Sequence, residues 1–192
     1  MIRRLYDWTM GLAGHRHAMW ALFAVAFIES SFFPIPPDVL LIPMVLAAPT
    51  RWAWIAAVAT LGSVLGGLFG YWIGAALMDS IGQNILAFYG KEAAFADISA
   101  RFDEWGGWAV LVAGVTPFPY KVITIFSGAV GLSLPVFIGV SIFARALRFF
   151  IVAWLLWRYG APIREFIERR LGILFTVFVV ALIGGFVALR YL

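Results

Sequence analysis

The sequence predicts an all-α integral membrane protein: an inverted repeat of two re-entrant helical hairpins, each followed by a transmembrane helix, with a C-terminal transmembrane helix and interfacial amphipathic helices added. Three observations carry that reading. Of 192 residues, 64% are hydrophobic and 12% charged, with mean hydropathy +0.97, which leaves too little polar surface to clothe a soluble globule. In the stretch Phe33-Pro34-Ile35-Pro36-Pro37-Asp38-Val39-Leu40-Leu41-Ile42-Pro43, prolines and an aspartate interrupt sequence apolar enough for the bilayer core. A near copy, Pro117-Phe118-Pro119-Tyr120-Lys121-Val122-Ile123-Thr124-Ile125, follows at a constant offset of 83. Pro34 falls on Pro117, Pro36 on Pro119 and Asp38 on Lys121, so the charge is inverted between the copies.

The elements follow in order. Residues 1–17 hold Ile2, Leu5, Tyr6, Trp8 and Leu12 among basic residues, which suits an interfacial segment at the cytoplasmic lipid surface. The apolar run after it lacks a small-residue cleavage site, so no signal peptide is expected. Residues 18–48 form the first hairpin, with limbs Ala18 to Phe33 and Asp38 to Ala48. As helix these limbs reach about 24 and 16 Å against a hydrocarbon core of about 30 Å. The second cannot span, so the pair dips in, breaks at Pro34, Pro36 and Pro37, and leaves on the side it entered. Such backbone survives at depth only when buried in protein or lining a wet cavity.

Residues 52–78 carry no charge and form the first transmembrane helix. Along it Gly62, Gly66, Gly70 and Gly74 lay a bare strip that lets another backbone approach closely and permits a homo-oligomer. Over 79–105, Phe95, Ile98, Phe102 and Trp105 recur at helical spacing opposite Asp97, Arg101 and Glu104, the mark of an amphipathic helix on the membrane face. Residues 107–132 form the second hairpin, broken at Pro117 and Pro119. Residues 134–157 cross the bilayer again and carry Arg145 and Arg148. Residues 158–170, where Pro162 is placed to start a helix, make a cytoplasmic link, and 171–189 is the last span. Trp20, Trp52, Trp54, Trp105, Trp108 and Trp157 near the span ends suit interfacial anchoring.

Basic residues set the expected orientation. If neither hairpin crosses, Arg3, Arg4, Arg16, Arg51, Arg158, Arg164, Arg169 and Arg170 share one side, and Lys91, Arg101 and Arg190 the other. That bias places the N-terminus in the cytoplasm. One span then separates the hairpins, so they enter from opposite sides. Paired, proline-interrupted segments in two inverted halves point to a transporter-like site near the midplane.

Five charged residues fall within membrane-depth sequence: Glu29, Asp38, Lys121, Arg145 and Arg148. A lone charge there costs on the order of 2.5–3.5 kcal/mol on insertion scales, so each is expected to face a partner or water. Three positive and two negative charges leave a sum of +1, which suits an anion. Two arginines at i, i+3 can grip a phosphate as planar forks, and the half-helices starting after each proline cluster aim unpaired N–H groups inward. A lipid headgroup phosphate fits this chemistry, and Glu29 and Asp38 also suit proton exchange. The blander alternative is that Asp38 pairs with Lys121 and Glu29 with an arginine only to hold the hairpins together. Their matched positions predict that Asp38 and Lys121 touch at the hairpin tips.

Enzyme chemistry finds little support. The spans hold no histidine to serve Ser30, Ser31, Ser127 or Ser141 as a base. There is no cysteine, zinc-helix motif, P-loop or dinucleotide fingerprint, so neither metal nor cofactor is expected. Basic residues distributed as lipid-facing flanks argue against nucleic acid.

Glu29, the run Phe33 to Asp38, Gly66 to Gly74 with Tyr71, and Thr116-Pro117-Phe118-Pro119-Tyr120-Lys121 followed by Ser127-Gly128 resemble the DedA family. Its members share the VTT, or SNARE-associated Golgi, domain, and the likeness is nearest to the small YqaA-type branch. The resemblance covers about Trp20 to Gly160. It implies two opposed re-entrant hairpins in a bacterial inner membrane and the movement of phospholipids or polyprenyl phosphates between leaflets, with protons as a candidate coupling ion. A non-transport assembly factor and a proton or cation pathway are the alternatives. Family members commonly place two arginines around the second hairpin's proline. Here the first position falls near Gly114 or Val115, with no charge, and the second is represented by Lys121, so Arg145 or Arg148 is the candidate to supply the missing charge.

Overall fold

A computed structural model describes residues 17–32, 36–116 and 119–188, the last stretch by its backbone alone for nearly all residues beyond Gly160. Residues 1–16 of the interfacial segment and the break residues Pro34 and Pro117 lie outside the described residues, as do the side chains of the last span.

Every described element is helical. Ala18–Ser31 forms α1 and Asp38–Ala47 forms α2; a tight turn, Pro49–Arg51, leads into α3, Trp52–Leu77. A widened turn, Met78–Gly82, precedes α4, Gln83–Tyr89, and then come α5, Glu92–Val115, α6, Tyr120–Ala129, and α7, Leu134–Ala188. Among the described residues two helical runs are long and apolar enough to cross a membrane, Pro49–Tyr89 and Leu134–Gly160.

Prolines set the breaks. Pro37, at φ −65°, is preset for the helix it caps, and Asp38 lies in the first turn, where the helix dipole favours an acid. Helix α5 stops at Val115 because Thr116 precedes a proline, which drives it out of the helical region to φ −81°, ψ 169°. Between α6 and α7 the chain reverses at Gly131, φ +74°, a backbone that L side chains rarely adopt.

The order helix, break, short helix, long helix occurs twice, and the boundaries keep the offset seen in the sequence. The starts of α2 and α6 lie 82 residues apart, as do those of α3 and α7, and the ends of α1 and α5 lie 84 apart. The packing is less expected. The two helices that flank each break rest mainly on different long helices: α1 and α6 pack on α3, whereas α2 and α5 pack on α7. Each long helix thus carries the first limb of its own half and the second limb of the other. One apolar core joins Leu22 of α1, Leu41 and Val45 of α2, Ile55 of α3 and Phe149 of α7; another joins Val110, Tyr120, Leu132 and Phe137.

The glycine strip explains why α3 can hold two helices. A Cβ on Gly62 would stand 2.6 Å from the carbonyl oxygen of Phe23, and one on Gly66 would overlap that of Phe27, both on α1. One on Gly70 would meet Thr124 at 2.5 Å, and one on Gly74 would overlap the carbonyl of Ile125, both on α6. The strip is filled within the chain, half by each partner.

Two boundaries differ from the sequence reading. The amphipathic stretch 79–105 and the following limb are not separate: α5 runs unbroken through Gly106 and Gly107. These glycines seat close packing against Phe102, Leu132 and Val136 instead of ending the helix. Likewise α7 continues through Pro162, so the link 158–170 and the segment 171–188 share one helical backbone with the second span. An interior proline removes one hydrogen bond, which kinks a helix more readily than it ends one.

Candidate functional site

The exchange of limbs brings the two breaks together. Glu29 sits in the last turn of α1, Asp38 opens α2, Gly114 and Thr116 close α5, Lys121 starts α6, and Arg145 and Arg148 stand one turn apart on α7. A carboxylate at a helix C-terminus, as Glu29 is, opposes the dipole and needs a cation.

Arg145 supplies it. Its side chain is 0% exposed, and Nη2 lies 3.1 Å from Glu29 Oε2. Nε donates to Ser63 Oγ, Nη1 lies 3.5 Å from the Gly114 carbonyl, and the guanidinium is held 4.7 Å from each of the Tyr120 and Phe149 ring centroids. Ser30 Oγ donates to Glu29 Oε2 and stands 2.6 Å from Ser63 Oγ. Because Ser63 accepts from Arg145 and Ser30 donates to Glu29, Ser63 must donate to Ser30. The result is a closed ring of hydrogen bonds from Arg145 through both serines to Glu29, charge-assisted where it meets the arginine and the carboxylate.

Arg148 forms the second pair. Nη2 stands 2.6 Å from Asp38 Oδ2, with the two side chains 19% and 22% exposed, and Nη1 lies 3.5 Å from the Thr116 carbonyl. Each arginine therefore joins an acid beside the first break to a terminal carbonyl of α5, where cations suit the helix dipole. Thr124 of α6 adds a link, sharing its proton between the carbonyls of Ser30, at 3.1 Å, and Lys121, at 2.9 Å.

Four of the five predicted charges converge, but not as predicted. Asp38 pairs with Arg148 and not with Lys121, because the limb exchange seats α2 on α7 while Lys121 rides on α6, packed on α3. Lys121 makes no ion pair with any described residue. Of the break prolines, Pro37 caps α2 and Pro119 caps α6.

The sequence reading missed Ser63, Tyr120 and Phe149 as the cage of Arg145. Ser63 follows Gly62 on the glycine face of α3, and a polar residue there was a usable signal. Tyr120 is wholly buried and donates to Ser141 Oγ at 2.6 Å. Changing Tyr120 to Phe strands the Ser141 hydroxyl and is expected to cost about 1–3 kcal/mol, readable as a lowered melting temperature in detergent. Among the described residues no three His, Cys, Asp or Glu side chains gather; the cluster is built from ion pairs and hydrogen bonds.

The family model described as the VTT domain matches residues 35–158. The chain belongs to the DedA family. Over 187 residues it is 38% identical to an uncharacterized protein of Haemophilus influenzae, with 95% of each chain covered. Over 171 residues it is 39% identical to an uncharacterized protein of Histophilus somni, covering 85% of this chain and 87% of the relative. No solved structure matches it significantly. In this DedA-family chain Arg145 reaches the Gly114 carbonyl from another helix, at 3.5 Å. A Cβ on Gly114 would stand 2.6 Å from that of Ala144, so glycine there is what lets α7 approach.

Proposed function

We propose that the protein moves an anionic lipid headgroup, a phospholipid or a polyprenyl phosphate, between the leaflets of a bacterial inner membrane, with its N-terminus cytoplasmic and its two broken halves inserted from opposite sides. One observation carries this reading: two arginine–carboxylate pairs bridge both breaks inside a bundle of apolar helices, while Lys121 has no ion partner among the described residues. The pairs cancel, so the cluster keeps one positive charge for a phosphate. An apolar groove lined by Trp52, Phe143, Leu147, Phe150 and Trp154 offers lipid chains a seat on the helix that carries Arg148. A proton pathway is the second reading, favoured by the hydrogen-bonded run from Ser63 through Ser30 to Glu29.

Purified protein in liposomes distinguishes them when exchange of headgroup-labelled lipid and proton leak are measured side by side. Lipid exchange without a leak is expected; a leak alone supports the second reading. Replacing Lys121 or Arg148 with Gln is expected to slow exchange about tenfold or more, since charged hydrogen bonds are worth roughly 1.5–3 kcal/mol each. Exchange unchanged by Gln at Lys121 and at Arg148, each tested singly, sinks the phosphate site.

A further inference from the structure

We infer that the two arginines have different duties: Arg148 takes the ligand's phosphate by giving up the carboxylate of Asp38, while Arg145 stays on Glu29 throughout. The inference rests on the lipid reading above and assigns roles within that site.

The contrast lies in what each guanidinium would have to surrender. Arg145 is wholly buried, donates from Nε, Nη1 and Nη2, and is covered on its faces by Tyr120 and Phe149. A ligand entering there would break the closed ring and leave Glu29, 14% exposed, without its cation at the unfavourable end of α1. Arg148 is open by comparison. Its side chain is partly exposed, its one short bond is to Asp38, its carbonyl contact is long at 3.5 Å, and its nearest ring is 5.8 Å away.

Asp38 is suited to being released. Arg148 is its one described side-chain partner, and its place in the first turn of α2 leaves it in the favourable field of that helix after the pair parts. Asp38 holds Arg148 through one oxygen, on Nη2; a phosphate oxygen can take that place and leave Arg148 charge-paired. Lys121, one residue past the buried Tyr120 at the same break, is available as a second cation. The Asp38–Arg148 pair also ties α2 to α7, so the swap unlatches α2 while the Glu29–Arg145 ring keeps α1 in place.

The test uses the full chain in dodecylmaltoside, titrated with dihexanoyl phosphatidic acid and, separately, with inorganic phosphate. Asp38→Asn is expected to bind phosphatidic acid about tenfold more tightly, because Arg148 loses its internal competitor, and Arg148→Gln about tenfold more weakly or worse. Arg145→Lys is expected to melt lower yet bind with unchanged affinity. Asp38→Asn weakening binding as much as Arg148→Gln overturns the exchange, as does weakened binding in Arg145→Lys with none in Arg148→Gln. Inorganic phosphate bound more tightly than phosphatidic acid sinks the lipid reading and upholds the exchange. Absent lipid transfer with these binding shifts intact does the same. A second measurement leaves Asp38 and Arg148 untouched: the chain has no native cysteine, so Val39→Cys and Leu147→Cys can carry spin labels. Saturating phosphatidic acid is expected to lengthen the label distance between α2 and α7; an unchanged distance overturns the proposal.

Discussion

Replacing Arg145 with alanine is expected to destabilise the protein by about 3–5 kcal/mol, the range for removing one partner of a buried ion pair. The loss is compound. Glu29 would remain at the C-terminus of α1 with no cation, Ser63 would lose its donor, and the space between the Tyr120 and Phe149 rings would empty. For a chain of this size that corresponds to a fall in Tm of roughly 6–20 °C at about 2–4 °C per kcal/mol. Thermal unfolding in detergent, followed by tryptophan fluorescence, reads it directly. Adding Glu29→Gln should restore part of the loss, because the stranded acid is then neutral. A melt within a degree of the wild type would show that the ring does not hold the two halves together.

Gly66→Ala is the second large effect, and it is steric. The added Cβ would overlap the carbonyl oxygen of Phe27, which as backbone cannot swing aside. Helix α1 must withdraw, taking with it the bond from Ser31 Oγ to the Gly66 carbonyl and the approach of Glu29 to Arg145. Overpacking commonly costs about 1–3 kcal/mol, and a clash of backbone with Cβ belongs at or above the top of that range. Gly139→Ala is the contrast: its Cβ would meet nothing within 4 Å on α7, so the better helix former should stabilise by roughly 0.5–1 kcal/mol. Opposite shifts in Tm for the two variants are expected. Equal shifts would mean that α1 does not rest on the glycine strip.

Much of this could be read from the sequence because it depends on local rules. An uncharged apolar run gave Trp52–Leu77 to within a residue at its end, and proline chemistry marked the ends of α1 and α5 and the starts of α2 and α6. The cost of a lone charge in hydrocarbon named Glu29, Asp38, Arg145 and Arg148 before any contact was known. The partners were not legible in the same way. Matching Asp38 to Lys121 assumed that equivalent positions in two halves are neighbours. Which long helix a short limb rests on is decided by three-dimensional packing, and α2 rests on α7. Gly106 and Gly107 misled for a related reason, since a glycine pair marks either a break or a tight contact, and only the neighbours Phe102 and Leu132 tell which. Ser63 had only its place beside the glycine strip to mark it, since one serine in an apolar helix carries no periodic signal.

The exchange of limbs also sets an order of events at the ribosome. Glu29 precedes Arg145 by 116 residues and Asp38 precedes Arg148 by 110. At about 5–20 residues per second, both acids wait on the order of 5–20 s for their cations to be made. Helix α3 is available to α1 early, through the glycine strip, but α2 has no final seat until α7 is inserted. Helix α2 must therefore wait in a provisional place during synthesis, and the last step of assembly is the arrival of α7 to collect both acids.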